Sequence, residues 1–145
     1  MKHGRQDQNV ILSPQDYQKI IVEGNAKLLT SKAETIGQRL ARKLHLSTSQ
    51  IRNIFGTVRQ IEMNWGQHAT EEQQRNAARQ LILLKPKLAY QAQRERGKGA
   101  KGVAELANIL IPAIDLVGED RNRFQNFVDF FEAILAYHTA AGGSN

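Results

Sequence analysis

Apolar residues recur at three- and four-residue intervals along most of the chain, and this spacing constrains the fold more than any other feature of the sequence. Ile51, Ile54, Val58, Ile61 and Trp65 show it well, because the spacing places all five on one face of an α-helix. No sustained alternation of β-branched and polar residues between turn residues predicts a strand. The pattern predicts an all-α fold, a compact bundle of about five to six helices.

Capping signals divide the sequence into helices. Ser13-Pro14-Gln15-Asp16 predicts the start of a first helix that carries Tyr17, Ile20, Ile21 and Leu28 on its inner face, and Thr70-Glu71-Glu72-Gln73 is a capping box. The helix after that box carries Ala77, Leu81, Leu84 and Leu88 inward, with a kink or local break expected where Pro86 deprives the Ile82 carbonyl of its donor. The other helices are predicted at about 33–44, after a Ser47 or Thr48 cap, at 103–117 with Pro112 tolerated, and at 120–140.

The length of 145 residues is typical of one domain. We expect a flexible N-terminal segment at 1–12, a single helical domain at 13–141 and, within it, an exposed basic glycine-rich loop at 97–102. Gly97, Gly99 and Gly102 match the dinucleotide-binding spacing by chance, because helices rather than a strand and a helix flank them. The aromatic residues between Phe124 and Tyr137 predict the main core, or a core shared with another subunit.

Several classes of function lack the residues that they need. The chain has no cysteine, and His3, His45, His68 and His138 are too far apart in sequence for a zinc motif, so we expect no metal and no cofactor. His138 continues an apolar stripe and is interpreted as a hydrogen-bonded core or interface histidine. No phosphate-binding loop and no pair of carboxylates in an apolar setting is present, which predicts a protein that is not an enzyme. Short apolar stretches and a polar start predict a cytoplasmic protein without a membrane segment.

Positive charge is concentrated in the middle of the sequence. The stretch from Arg75 to Lys101 has eight Lys or Arg residues and one Glu, and so carries the whole positive excess of a chain whose net charge is +6. Such a concentration favours a polyanionic partner, with nucleic acid first and anionic membrane second. At about 100° per residue, Lys87, Tyr90 and Arg94 lie within about 60° of one another, where two cations could neutralise a single strand while a base stacks on the ring. The alternative is that Tyr90 packs against a neighbouring helix and the cations are simply solvated.

A second interpretation is a DNA-binding helix-turn-helix. The predicted helices before and after His45-Leu46-Ser47 are joined by a short turn, and Ser49, Gln50, Arg52 and Asn53 would face outward from the second one. Against it, His45 stands where a glycine is common, and the strongest basic cluster lies elsewhere.

Three stretches at these positions resemble a known family. Thr48-Ser49-Gln50-Ile51-Arg52, Leu84-Lys85-Pro86-Lys87-Leu88-Ala89-Tyr90-Gln91, and Phe127 to His138 are similar, in order and spacing, to the signature stretches of the small helical subunit of type III-A CRISPR effector complexes, the Csm-type. The resemblance runs from about Ala33 to His138 and so covers most of the chain.

The resemblance implies a non-catalytic RNA-binding subunit in antiviral defence, with several copies stacked as a filament beside other subunits of the complex. It also implies contact with the RNA backbone where single-stranded target RNA pairs with guide RNA, and this base pairing supplies the specificity. Which of the two strands is contacted stays open from the sequence. The sequence leaves open whether two isolated chains exchange helices as a dimer. A structural adaptor whose cations meet acidic proteins is the remaining alternative. The candidate RNA-binding residues are Arg52, Arg59, Lys85, Lys87, Tyr90, Arg94, Arg96, Lys98 and Lys101.

Overall fold

The computed structural model describes residues 11–143, and this part of the chain consists of helices joined by short turns, with no strand. The predicted all-α bundle is confirmed. None of the helices within 11–143 combines the length and the apolar character that crossing a membrane requires. The helices are α1 (Pro14–Tyr17, continued by a π-helical segment Gln18–Val22), α2 (Ala26–Arg42), α3 (Thr48–Asn64), α4 (Glu71–Arg94), α5 (Ala100–Val117) and α6 (Arg121–Ala140).

The chain enters the bundle along an apolar path. Residues 1–10 of the predicted flexible segment lie outside the described residues, but Ile11 and Leu12 are half-buried and pack against the core. Ser13 then begins α1 as predicted: its Oγ accepts the Asp16 N–H at 3.1 Å, and its own N–H donates to Asp16 Oδ2 at 3.0 Å. That backbone hydrogen bond lowers the pKa of Asp16, because it stabilises the carboxylate.

The first predicted helix is too long and the second too short. The chain leaves α1 at Gly24, whose φ of +68° is a left-handed conformation that glycine adopts without strain. Asn25 then caps α2 by accepting the Leu28 N–H at 2.9 Å, so α2 begins at Ala26 and not at 33, and Leu28 belongs to α2. A side-chain cap placed directly after a glycine outweighs the continuing apolar pattern.

Both predicted caps of α3 and α4 are present. Ser47, rather than Thr48, caps α3 in a capping box, and Thr70 caps α4 in another. The inner stripe of α4 is buried as expected, at Ala77, Leu81, Leu84 and Leu88. Helix α4 continues through Pro86 from Glu71 to Arg94, so the proline does not end the helix. Pro112 is likewise accommodated inside α5.

The predicted glycine-rich loop is shorter and less exposed than expected. Gly99, with φ +92°, is the N-cap of α5, and the helix begins at Ala100, so Lys101 and Gly102 belong to its first turn. Gly99 and Gly102 are buried. A Cβ on Gly102 would lie 2.8 Å from Leu46 Cβ, so the lack of a side chain allows the first turn of α5 to pack on the turn before α3.

Aromatic residues of α6 form the centre of the core, as the sequence predicts. Phe124, Phe127, Phe130 and Phe131 are fully buried, and Phe124 stacks on Trp65 with ring centroids 4.7 Å apart. Burial of one such ring is worth about 1.5 to 3 kcal/mol. Helix α6 is the central helix of the bundle, because it packs most extensively against α2 and also contacts α3 and α5.

His138 is a buried core residue, as predicted. Its Nε2 lies 2.6 Å from the carbonyl oxygen of Leu46, and it ties the last turns of α6 to the turn between α2 and α3. Gly143 packs on the imidazole ring and accepts a hydrogen bond from Thr48 Oγ1 at 3.1 Å.

Candidate nucleic-acid interface

Helices α3 and α4 lie antiparallel beside each other and together contain six of the nine candidate residues. Near the start of α3, Gln50 Nε2 donates to Glu95 Oε1, just after the end of α4, at 3.3 Å. Farther along, Thr57 and Gln60 of α3 line a groove together with Lys87 of α4. From the first contact to the second, the residue number rises along α3 and falls along α4, so the two helices are antiparallel.

Lys87, Tyr90 and Arg94 form one exposed stripe along α4, which we call the α4 stripe. All three side chains are exposed, and Tyr90 is 67% accessible and does not pack against a neighbouring helix. The Arg94 guanidinium carbon lies 5.9 Å from the centroid of the Tyr90 ring, within the range of a cation–π contact. The stripe therefore presents an aromatic face between two cations, as the helical geometry predicts.

The C-terminal end of the α4 stripe lies at a pole of the bundle where several chain segments meet. A Cβ on Gly99 would lie 2.6 Å from Gln50 Oε1 and 3.0 Å from the His45 carbonyl oxygen, so the turn before α5 contacts the turn before α3. Glu95, which accepts a hydrogen bond from Gln50, is a half-buried carboxylate beside this contact. We call the exposed cations of these segments the cationic end: Arg42, Lys43, Arg94, Arg96, Lys98 and Lys101.

Two members of the cationic end were not among the sequence candidates. Arg42 is the last residue of α2 and Lys43 follows it, and both are exposed. They join the other cations because the turn at 43–47 folds back to the start of α5. The signal that could have identified them is their position at the end of a helix directly before another helix.

The C-terminal ends of two helices explain part of this concentration of positive charge. Arg96 Nη1 donates to the carbonyl oxygens of Gln93 at 2.6 Å and Glu95 at 2.9 Å, and so satisfies groups at the C-terminal end of α4. Cations near the C-terminal ends of α2 and α4 also interact favourably with the helix dipoles. Lys98 and Lys101 make no side-chain hydrogen bond among residues 11–143, so their charge is available to an external anion.

Two candidates on α3 lie on a different face from the groove. Arg52 and Arg59 are seven residues apart and share one face, roughly a third of a turn from the side of α3 that faces α4. Arg59 forms an ion pair with Glu62 at 2.9 Å and lies over the Phe55 ring at 5.8 Å. Arg52 adjoins the cationic end, whereas Arg59 is already paired.

Lys85 is separated from Lys87 although only one residue lies between them. About 200° of helical rotation turns Lys85 toward α5, where its ammonium pairs with the Asp115 carboxylate. The geometry therefore divides the two lysines that the sequence grouped together: one is paired, and the other is exposed beside the groove.

The residues expected to read DNA in a helix-turn-helix are partly engaged inside the protein. Gln50 is half-buried, since it completes the Ser47 capping box and contacts Glu95. Thr48 donates to Gly143. Ser49, Arg52 and Asn53 are exposed, but the first turn of α3 is covered on the side facing α4.

Titratable side chains form no candidate metal centre in the described part of the chain: no three His, Asp or Glu residues of 11–143 lie close enough to hold an ion. The residues with a shifted pKa also lie away from the α4 stripe. Burial raises the pKa of Tyr17 to about 12, and the hydrogen bond from Arg39 to Glu105 raises the pKa of Arg39.

Comparison with known proteins identifies one family. No curated protein and no solved structure matches the chain significantly. The model of one protein family, Csm2 Type III-A, matches residues 23–144, which is most of the chain and includes every candidate residue. The chain belongs to the Csm2 family of type III-A, and so to the small subunits of the type III-A CRISPR complex.

Proposed function

We propose that this subunit binds the RNA of its complex through the phosphate backbone, along the α4 stripe and the cationic end. The observation that carries the proposal is the arrangement of Lys87, Tyr90 and Arg94 on one exposed face, with the guanidinium over the ring. Lysine and arginine contacts to phosphates have little sequence preference, and a stacked base tolerates any sequence. Both properties suit a subunit of an RNA-guided complex, where pairing between guide and target reads the sequence.

The finer assignments belong to the same proposal. The subunit is not an enzyme, it acts in the cytoplasm in antiviral defence, and it contacts single-stranded target RNA and guide RNA. Membership of the family implies association with other subunits of the complex. Several aligned copies would multiply a weak contact, so the isolated protein binds RNA weakly and the assembled filament binds it strongly.

Fluorescence anisotropy with a labelled single-stranded RNA, over a series of salt concentrations, tests the proposal. The variant Lys87→Ala/Arg94→Ala removes two phosphate contacts, and the slope of log affinity against log salt should become less steep by about 1.4, at about 0.7 per phosphate contact. Lys19→Ala/Lys27→Ala removes the same charge from exposed positions on α1 and the first turn of α2, and should change the slope much less. Lys85→Ala, whose ammonium is paired with Asp115, should also have a small effect.

The alternatives give different results in the same titration. No binding of RNA at low salt by the wild type, or an unchanged slope for Lys87→Ala/Arg94→Ala, would overturn the proposal in favour of a structural adaptor. Tight binding to duplex DNA with discrimination between sequences would instead support a helix-turn-helix. Circular dichroism of each variant checks that helicity is retained.

A further inference from the structure

A groove lined by side-chain amides runs between α3 and α4, away from the cationic end. It consists of two adjoining cavities of about 390 and 580 Å³, which share Asn64 and Gln80. Lys87 lies at one end, and the turn that connects α3 to α4 lies at the other. Its amide side chains are those of Gln60, Asn64, Gln67, Gln73, Asn76 and Gln80.

The charge of this lining favours an anionic strand over a basic peptide. No carboxylate lines either cavity, and Lys87 is the one Lys or Arg side chain that does, among the residues that the structure describes. An anionic strand held at Lys87 would therefore meet no repulsion on entering the groove. A basic peptide would find no opposite charge there.

The amides match the polar edges of nucleobases. Each Asn or Gln side chain offers an acceptor and two donors, and this combination pairs with the edge of a base. Gln60, Asn64 and Gln80 are exposed, and their amides take part in none of the side-chain hydrogen bonds found among residues 11–143. Their donors and acceptors are thus available to a ligand.

Apolar side chains beside the amides offer surfaces for the faces of the bases. Met63 is 81% exposed and Leu83 is 43% exposed, and each lines one of the two cavities. A thioether makes favourable contacts with aromatic rings. We infer that the amide-lined groove binds unpaired bases of a single-stranded RNA whose phosphates contact Lys87 and Arg94, an inference that rests on the proposed function.

The dimensions agree with a short segment of RNA. Lys87 and Gln80, which line the first of the two cavities, are seven residues apart on α4, about 10 Å along the helix axis at about 1.5 Å per residue. This length corresponds to about three stacked nucleotides at about 3.4 Å each. Nucleotides on the N-terminal side of Lys87 would thus place their bases in the groove. Nucleotides on its C-terminal side would contact the α4 stripe through their phosphates.

Two probes of equal length separate contacts with bases from contacts with phosphates: an oligouridylate and the same ribose-phosphate chain without bases. The variant Asn64→Ala/Gln80→Ala should bind the oligouridylate about three- to tenfold more weakly and the base-free strand as the wild type does. Its salt slope should not change, because it removes no charge. Gln15→Ala/Gln18→Ala, on exposed positions of α1, is the matched control and should bind both strands like the wild type.

Each outcome decides the inference, and the two proposals fail in different ways. Equal affinity of the wild type for both strands, or unchanged binding by Asn64→Ala/Gln80→Ala, would overturn the inference and leave the groove to a protein partner. If Lys87→Ala/Arg94→Ala still weakens binding in that case, the proposed function stands without it. If neither variant weakens binding, the proposed function fails as well.

Discussion

Arg39 of α2 donates two hydrogen bonds to Glu105 of α5, from Nε to Oε2 at 2.5 Å and from Nη2 to Oε1 at 3.0 Å. The two side chains are only 21% and 18% exposed. Such a two-point contact in a partly buried setting is stronger than a surface ion pair. It fixes α2 against α5 near the point where the chain enters the bundle.

Glu105→Gln should lower the free energy of unfolding by about 1 to 3 kcal/mol, because it leaves the Arg39 charge without its counter-charge. Glu62→Gln, which breaks the exposed pair of Glu62 with Arg59, should change the same quantity by less than about 1 kcal/mol. Urea denaturation of both variants measures the difference. Equal losses would show that the α2–α5 pair is no stronger than a surface pair.

The tyrosine of α1 predicts a loss of stability at alkaline pH. Tyr17 donates its hydroxyl to the Ile109 carbonyl oxygen at 2.8 Å, and burial raises its pKa to about 12. In the unfolded chain tyrosine has a pKa of about 10, so the stabilisation is complete below pH 10 and is lost as the pH rises from about 10 to about 12. Two pKa units correspond to a loss of at most about 3 kcal/mol, and the partial exposure of the side chain reduces the loss below this value.

The comparison with Tyr17→Phe isolates this effect from other titrating groups. At neutral pH the variant should be less stable than the wild type by about 1 kcal/mol, since it lacks the hydrogen bond. Above pH 10 this difference in the free energy of unfolding should shrink and then reverse, because only the wild type has a hydroxyl that ionises less readily in the folded than in the unfolded chain. A difference that stays constant up to pH 11 would show that Tyr17 ionises as it does in the unfolded chain.

Two glycines inside helices should respond in opposite ways to alanine. A Cβ on Gly37 of α2 would lie 2.7 Å from the His138 amide nitrogen and 2.8 Å from the Ile134 carbonyl oxygen, where α2 meets the backbone of α6. Gly37→Ala should therefore destabilise the protein by about 1 to 3 kcal/mol. Gly56→Ala on α3 places the methyl in open space and should stabilise it by about 0.4 to 1 kcal/mol. Thermal and urea denaturation check both signs, and stabilisation by Gly37→Ala would mean that α2 and α6 are farther apart.

The buried histidine predicts a local loss of order. His138→Phe keeps an aromatic ring but leaves the Leu46 carbonyl without its partner, at a cost of about 1 to 3 kcal/mol. Amide hydrogen exchange should increase first in the turn at 43–47, which this contact holds against α6. Exchange that rises uniformly along the chain would indicate that the contact supports the whole fold instead.

Most helix boundaries follow from the sequence because the interactions that set them are local. The capping boxes at Ser13, Ser47 and Thr70 join residues three positions apart, so a short stretch of sequence contains both partners. The same holds for the α4 stripe, whose residues are neighbours on one helix. The sequence pattern does not reveal the interruption at Gly24, because apolar residues continue across it from Ile20 to Leu28.

The assembly of the interface depends on contacts between distant residues, and periodicity carries no information about these. Lys85 meets Asp115 thirty positions away, and Gln50 meets Glu95 forty-five positions away. These contacts decide which cations are neutralised, which are brought to the cationic end, and which amides line a groove. The sequence alone therefore determined the helices, their inner faces and the excess of positive charge. Only the tertiary structure decided which charges share a surface, because that depends on how the helices pack against one another.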